Sequence, residues 1–462
     1  MNNENRNNNN NARAVSEFLN EYMNAMYNLS LEGLFEAYWD CRKNKSRTAS
    51  ASAFEVHYED NLIRLHKEIT SGAYTQQEAV SFVITKPDYR EIFASHFRDR
   101  IIHHWIRQRI EPIFERLMIP TTFNCRKDKG TLAAQMYVAE AIKEVSNNYT
   151  SDCYVMKVDI KGFFMSIDRQ RICDKVTAIV AEHYSAEDKD ALLFLLRRVL
   201  LNAPEKHCRR CGDLSLWRHI KPHKSLFTNG EGKGLPIGDL VVQMAANILL
   251  NDTDHFITDI LDIKMARYVD DMVLIHQDKD YLLRAVPKIR ALLLQTAGVE
   301  LHPHKFYIQH YTKGVKFVGA VIKPHRTYVA NRTVNNAFAS IRRLYKSRAS
   351  VEDIVASVNS YLGIMRHHRT YRIRQRLCRL ISKHFGKKVI VEHNHKKIND
   401  RRTKTTHSLT RGTGARAHRL RGVVEDAKAC REGRTRIKRI ERGVWITNLT
   451  NTACASILTL YT

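Results

Sequence analysis

Two adjacent carboxylates stand inside a run of otherwise apolar residues. The segment 266–276 reads ARYVDDMVLIH and places Asp270 and Asp271 among β-branched and apolar side chains. Ionised groups in such surroundings are costly without compensating cations, and a tight turn between two strands would present both acids at its tip. Asp159 ends a similar run, YVMKVDIKGFF at 154–164. Three carboxylates converging from two strands are what a pair of Mg²⁺ ions requires in phosphoryl transfer. Spacing alone leaves open a plainer interpretation, in which the Asp pair caps a hairpin turn.

The elements around these acids alternate between strands and helices. A third β-branched run, VKFVGAVI at 315–322, lacks an acid, and the stretch 333–385 is helical and basic. Strands and helices in this order predict an α+β fold with a mainly antiparallel sheet. The remaining helical periodicity falls at 169–181, 188–202 and 240–251.

The first third of the chain is predicted to be helical, with one short β-hairpin. Residues 1–12 are an asparagine-rich leader that we expect to be disordered, and helical spacing follows from about Arg13 to Lys45. The segment 81–93, SFVITKPDYREIF, predicts two short strands around a Pro-Asp turn. A helix with one apolar and one basic side follows, and Pro112 is expected to kink or end it.

The charge of the chain favours a polyanionic partner. The sequence has 75 Lys and Arg against 48 Asp and Glu, a net charge of +27. Nine scattered cysteines and a start without an apolar stretch predict a reducing, cytoplasmic location. The most apolar stretch, ALLFLLRRVLL at 191–201, is broken by charge before the ~18 residues of a spanning helix, so membrane insertion is not expected.

The order of three motifs resembles that of a reverse transcriptase. These are KVDIKGFFMSID at 157–168, KGLPIGDLVVQMAAN at 233–247 and YVDD at 268–271, and the resemblance extends from about residue 80 to 385. It implies an RNA-directed DNA polymerase with a right-hand arrangement of fingers, palm and thumb. It further implies that Asp159, Asp270 and Asp271, with the Ile160 backbone, hold two Mg²⁺ ions. The expected domains are a leader at 1–12, a helical N-terminal extension at 13–80, fingers and palm at 81–325, a helical thumb at 326–386 and a basic tail of unknown role at 387–462.

The same resemblance assigns residues to the incoming nucleotide. Phe164 stands where the family places an aromatic ring under the deoxyribose, so that ribonucleotides are excluded and DNA is the product. Lys86 and Arg90 resemble a triphosphate-binding pair, and Ile237 and Gln243 lie in the second motif. Lys305, in HPHKFYI, stands where the family often has a lysine near the pyrophosphate, a position suited to a general acid. Core packing for Phe164 and a solvated surface for the basic pair remain open.

One departure narrows the resemblance to a branch. Most retroviral, group II intron and retron enzymes have Gln between the Pro and Gly of the second motif, where this chain has Ile237. The loop Leu-Pro-Ile-Gly resembles the reverse transcriptases of diversity-generating retroelements, although Asp239 follows where that group commonly has Asn. That branch implies a retroelement template RNA, a primer or cDNA strand, dNTP substrates, errors concentrated at template adenines, and a basic helical accessory protein. The alternatives are a retron-like or group II intron-like enzyme and a non-catalytic maturase that binds RNA.

Two smaller motifs have competing interpretations. Cys208 and Cys211 form a single CxxC, which His219 or His223 would have to complete as a zinc site. Two free thiols in an insertion are the alternative. The segment FVG at 317–319 resembles the family's primer grip, and a plain strand explains it equally well.

Overall fold

The structure is a computed structural model that describes residues 26–43, 48–85, 88–303 and 305–401. The chain divides into two units, of which the first runs to His310 and the second begins at Tyr311. The second unit therefore starts ahead of the predicted thumb at 326. The leader and the start of the predicted N-terminal helix lie outside the described residues.

The first unit opens with three helices that belong to the predicted N-terminal extension. Helix α1 begins at Ser30, whose side chain accepts a hydrogen bond from the Gly33 N–H at 3.1 Å. The rings of Tyr38 and Tyr58 stack at 5.3 Å and join α1 to α3. The bounds are α1 Leu31–Arg42, α2 Ala49–Glu55 and α3 Tyr58–Thr70.

A β-hairpin and a long helix follow. Strand β1, Ala79–Ile84, pairs antiparallel with β2, Arg90–Ala94, as the sequence predicts. Helix α4 spans Phe97–Leu117 and continues through Pro112, so the proline does not end it. A proline removes one backbone hydrogen bond, and the buried residues Ile110 and Phe114 on either side hold the helix in the core.

A four-stranded antiparallel sheet forms the centre of this unit. Its order is β5-β6-β3-β7, and Val158 at the end of β3 lies opposite Met272 in β6. The predicted antiparallel sheet is confirmed for the described residues. Its strands are β3 Tyr154–Val158, β5 Lys264–Tyr268, β6 Asp271–His276 and β7 Tyr307–His310.

Helices cover the sheet and connect its strands. Their bounds are α5 Thr131–Val145, α6 Phe163–Ser166, α7 Arg169–His183, α8 Lys189–Leu200, α9 Leu240–Leu249, α10 Asn251–His255, a π-helical turn Phe256–Ile260 and α11 Lys279–Ala297. Strand β4, Cys208–Arg210, lies in the insertion before α9 and pairs parallel with β1. Short 3₁₀ turns complete the insertion.

The second unit combines a small sheet with three helices. Strands β8 Val315–Phe317, β9 Ala320–Lys323 and β10 Arg326–Val329 are antiparallel, and the helices are α12 Asn331–Lys346, α13 Val351–Met365 and α14 Tyr371–Phe385. The FVG segment forms the turn from β8 to β9, with Val318 and Gly319 at positive φ.

The chain immediately after α14, the start of the predicted basic tail, forms regular structure. Strands β11 Val389–Val391 and β12 Ile398–Asp400 form a hairpin, and the side chains of Val389 and Ile398 are buried in the helical core. Asn359 of α13 binds both backbone groups of Ile398 at 2.8 Å. Few apolar residues are needed for this short hairpin, so composition could not distinguish it from a tail. The rest of the predicted tail lies outside the described residues.

No helix in the described part of the chain is both long enough and apolar enough to cross a bilayer.

Candidate active site

The Asp pair lies at the two-residue turn between β5 and β6, with Asp270 in the turn and Asp271 at the start of β6. Tyr268 pairs with Asp271, which leaves Val269 and Asp270 as the turn residues. Val269 has φ +62°, in the left-handed region that two-residue hairpins require and that a β-branched residue rarely adopts. The turn therefore presents the acids at the end of the hairpin.

The third acid reaches the same place from the neighbouring strand. Since Val158 lies opposite Met272, Asp159 follows β3 at the level where Asp271 begins β6. Withdrawal from water, together with the charges of Asp159 and Asp271, raises the pKa of Asp270 to about 6. Burial also raises the pKa of Asp271, against the effect of Lys157. The structure thus brings the three predicted carboxylates into one electrostatic site.

Lysines pair with two of these carboxylates. Lys157 Nζ lies 2.8 Å from Asp271 Oδ2, and Lys305 Nζ lies 3.0 Å from Asp159 Oδ2. The Lys305 and Asp159 side chains are 60% and 27% exposed. An ion pair this open to water contributes no more than about 1 kcal/mol, so it can be exchanged for other partners.

A backbone contact brings Lys305 to the site. The His302 N–H donates to the Asp159 carbonyl at 2.7 Å, and the Lys161 N–H donates to the Glu300 carbonyl at 2.8 Å. These two bonds involve the backbone groups of Asp159 and Lys161, on either side of Ile160. Neither bond uses the Ile160 carbonyl, which is the predicted metal ligand.

The donor set fits a divalent cation that prefers oxygen ligands. No three His, Cys, Asp or Glu side chains of the described residues already lie in an arrangement that would hold a metal. Asp271 Oδ1, however, is buried and accepts no hydrogen bond from any described residue. A buried, unsatisfied carboxylate oxygen beside two further carboxylates suits a hard cation such as Mg²⁺.

The residues predicted to bind the triphosphate are only partly described. Arg90 begins β2, is exposed, and its positive charge opposes the upward pKa shift of Asp270. It therefore lies within electrostatic reach of the acids. Lys86 lies outside the described residues.

Phe164 and Ile237 belong to one apolar cluster. Both are half-buried against Phe93, Met165 and Leu226. Phe163 and Phe164 do not continue strand β3 but form the short helix α6 after Gly162, which has φ +55°. Phe163 is buried nonetheless, and the two rings lie 5.3 Å apart.

The loop before α9 is fixed by backbone hydrogen bonds. The Phe93 N–H donates to the Ile237 carbonyl at 3.0 Å, and the Leu235 N–H donates to the Phe164 carbonyl at 2.8 Å. Gly238 has φ +138°, and a Cβ there would lie 2.6 Å from the Phe93 carbonyl oxygen. Glycine is therefore required where β2 passes this loop.

Two polar residues of the same motif have partners that the sequence did not indicate. Asp239 precedes α9 as expected, but its carboxylate accepts from Ser95 Oγ at 2.6 Å and makes no capping bond to the helix. Gln243 Oε1 accepts from Cys125 Sγ at 3.0 Å.

The CxxC segment joins the sheet of β1 and β2. The Cys211 N–H donates to the Ser81 carbonyl at 2.8 Å, and the ring of His219 stacks on Tyr89 at 4.8 Å. Both cysteines are free thiols, and His219 and His223 complete no metal-binding group within the described chain.

The residues that hold the Asp turn are ones that the sequence motifs did not indicate. Asn124 Oδ1 accepts from the Val269 N–H at 2.9 Å, and Arg267 Nη1 donates to the Val269 carbonyl at 3.0 Å. The one available signal was the arginine itself, an ionisable residue between Ala266 and Tyr268 in the interior of β5.

Comparison with known proteins places the site in a family context. A sequence model described as reverse transcriptase (RNA-dependent DNA polymerase) matches residues 84–322. Among solved structures, apo telomerase from Candida tropicalis aligns with TM-score 0.43 and 13% identity over 67% of this chain and 60% of that one. Telomerase from Candida albicans in complex with a TWJ fragment of telomeric RNA aligns with TM-score 0.38 and 10% identity over 73% and 59%. The chain thus spans about 60% of the length of these telomerase chains. No curated protein matches it.

Proposed function

Because the chain belongs to the reverse transcriptase (RNA-dependent DNA polymerase) family, we propose that it synthesises DNA on an RNA template at the Asp turn. The observation that carries the proposal is the gathering of Asp159, Asp270 and Asp271 from two neighbouring strands, with the pKa of Asp270 raised to about 6. A capping role for the Asp pair would not require a third acid on the adjacent strand.

The acids would hold two Mg²⁺ ions, with the Ile160 carbonyl as a further candidate ligand. Bound at such a site, the ions lower the pKa of the attacking primer hydroxyl and neutralise the leaving pyrophosphate. Asp271 would offer its unsatisfied Oδ1, and Asp159 would give up its solvent-exposed ion pair with Lys305 to bind the metal. The Lys305 ammonium would then be able to donate a proton to the pyrophosphate.

Residues around the acids would bind and select the nucleotide. Arg90, exposed and within electrostatic reach of Asp270, would contact the triphosphate, with Lys86 as its proposed partner. The half-exposed ring of Phe164 would exclude the ribose 2′ hydroxyl. Gln243, in the first turn of α9, would contact the nucleotide next to Cys125, whose thiol donates a hydrogen bond to the Gln243 side chain.

A primer-extension assay tests this activity. The purified chain, a primed RNA, Mg²⁺ and four dNTPs should give DNA of template length. Omission of one dNTP should stop the product at the matching template base. The control variant Asp280→Asn removes an exposed carboxylate of α11 and should extend the primer as the wild type does. Addition of nucleotides without regard to the template would contradict the proposal.

We further propose that the enzyme serves a diversity-generating retroelement. The supporting observation is Ile237, which lies in the apolar cluster with Phe164 and has no hydrogen-bonding group beside the nucleotide pocket. The template would be a retroelement RNA copied with errors at adenines, and a basic helical accessory protein would assist. Sequencing of cDNA made from a defined RNA, with and without that protein, tests this role. An error rate at adenine no higher than at the other bases would contradict it.

A further inference from the structure

The turn that presents Asp270 is held in a conformation that its own sequence disfavours. Val269 has φ +62°, and for a β-branched residue the left-handed region costs of the order of 1–3 kcal/mol. Such a conformation persists only where the surroundings impose it. The two backbone polar groups of Val269 are both bound by side chains: its N–H by Asn124 and its carbonyl by Arg267.

Arg267 is anchored by a buried ion pair. Its side chain and that of Asp254 are both fully buried, with Nε 2.8 Å from Asp254 Oδ1 and Nη2 2.5 Å from Oδ2. Burying two charges is expensive, and a well-packed apolar pair is often at least as stable. Stability alone therefore does not explain the pair. Arg267 Nη1, the nitrogen that makes no bond to Asp254, donates to the Val269 carbonyl at 3.0 Å.

Asn124 and Arg267 are locked to each other through Asn247 of α9. Asn247 Nδ2 donates to the Asn124 carbonyl at 2.9 Å, and Asn247 Oδ1 accepts from Arg267 Nη1 at 3.2 Å. The Phe123 N–H also donates to the Arg267 carbonyl at 2.9 Å. Asn124 and Asn247 are buried, so their amides are shielded from competition with water.

We propose that Asn124 and Arg267 are positioning residues that hold Val269 in the left-handed conformation and so aim the Asp270 carboxylate for catalysis. The proposal rests on the proposed polymerase function for its catalytic consequence. Within the described part of the chain, neither side chain hydrogen-bonds to the carboxylates of Asp159, Asp270 or Asp271. Their bonds end on the backbone of the preceding residue, and the hairpin pairing of Tyr268 with Asp271 does not need them.

The test compares Asn124→Ala with the double variant Asn124→Ala, Val269→Gly. Glycine adopts positive φ without strain, so it should restore part of what the lost amide supplied. Asn61→Ala is the control, because Asn61 also makes a side-chain hydrogen bond to the backbone, here by donating its amide to the Phe54 carbonyl at 3.0 Å in the N-terminal helices. Loss of one buried hydrogen bond should lower the ratio of native to non-native turn roughly 5- to 100-fold.

Three readouts separate positioning from general stability. Asn124→Ala should lower kcat for dNTP incorporation at least about fivefold while the KM for dNTP and the RNA affinity stay within about twofold. Hydrogen exchange at the Val269 amide should accelerate, and exchange in β3 and α9 should not. The double variant should recover at least about a third of the decrease in log kcat, because relief of backbone strain offsets part of the free energy of the lost hydrogen bond.

Other outcomes overturn the proposal. One is that Asn124→Ala changes neither kcat nor the rate of hydrogen exchange at Val269. The other is that hydrogen exchange becomes faster throughout the palm sheet and that adding Val269→Gly does not restore kcat. The second result would assign the network to folding alone. A wild type that makes no DNA would contradict the proposed function instead, and exchange at Val269 would still decide whether the network holds the turn.

Discussion

The ring of Phe164 offers the sharpest test of substrate choice, because its neighbour supplies an internal control. Phe164 is half-buried beside Ile237, whereas Phe163, one residue earlier, is buried in the main core. Removing the Phe164 ring opens space at the edge of the cluster without emptying the core. Removing the Phe163 ring creates a cavity, at a cost of about 3–5 kcal/mol of folding stability.

The expected effect on selection follows from the steric argument. Exclusion of one small group by a snug wall is worth about 1–3 kcal/mol, which corresponds to roughly 10- to 200-fold in discrimination. Phe164→Ala should therefore lower the ratio of kcat/KM for a dNTP to that for the matching NTP by about tenfold or more. Most of the change should appear as faster NTP incorporation.

Single-nucleotide extension on a primed RNA measures this ratio, and urea unfolding measures the stability of each variant. Phe163→Ala should unfold at clearly lower urea, and any protein that remains folded should keep its preference for dNTPs. A Phe164→Ala enzyme that folds, extends with dNTPs and still rejects NTPs as the wild type does would refute the assignment of the ring to the sugar pocket.

Three further changes have defined outcomes. Ile237→Gln should reduce misincorporation opposite template adenine more than opposite the other bases, as read by cDNA sequencing, because an amide adds hydrogen bonding where isoleucine has none; equal rates in both proteins would contradict this. Gly238→Ala should lower the free energy of unfolding in urea by about 1–3 kcal/mol, because the residue has φ +138° and its new Cβ would lie 2.6 Å from the Phe93 carbonyl oxygen. Unchanged stability would mean that β2 does not pack on this loop as described. Deleting 402–462, which removes 13 Lys and Arg and 4 Asp and Glu, a net +9, should flatten the dependence of log RNA affinity on log salt; an unchanged slope would exclude contact between these charges and RNA.

The palm strands and their acids could be predicted because the signal is local. The run of β3 leads to Asp159, and the runs of β5 and β6 meet at Asp270 and Asp271, so their prediction needs no distant information. The hairpin of β1 and β2 was predictable on the same ground, from its Pro-Asp turn.

Features that depend on distant partners could not be predicted in this way. Arg267 meets Asp254 and Asn247 only in the folded chain, so its sequence neighbours give no reason for a buried charge. Pro112 stays within α4 because core contacts outweigh one lost hydrogen bond. The hairpin at 389–400 depends on Asn359, and no local pattern relates the two.

The helix at Phe163 shows a different limit of sequence reasoning. The aromatic pair continues the β-branched run of β3, so the pattern predicts a longer strand. Gly162 at φ +55° turns the chain into α6 instead, and glycine in a strand-like run is compatible with either outcome. Lys305 was assigned only by resemblance, and its approach to Asp159 depends on the bonds between 159–161 and 300–302.

The most direct test of the central claim is the rate of dNTP incorporation by Asp270→Asn on a primed RNA, measured together with its affinity for that RNA. The substitution keeps the size of the side chain and removes the charge that the acid site provides, while the basic residues remote from the turn are unchanged. The account predicts that incorporation is abolished, that RNA affinity stays within about twofold of the wild type, and that Asp280→Asn behaves as the wild type. Incorporation by Asp270→Asn within about tenfold of the wild-type rate would contradict the assignment of this turn as the polymerase active site.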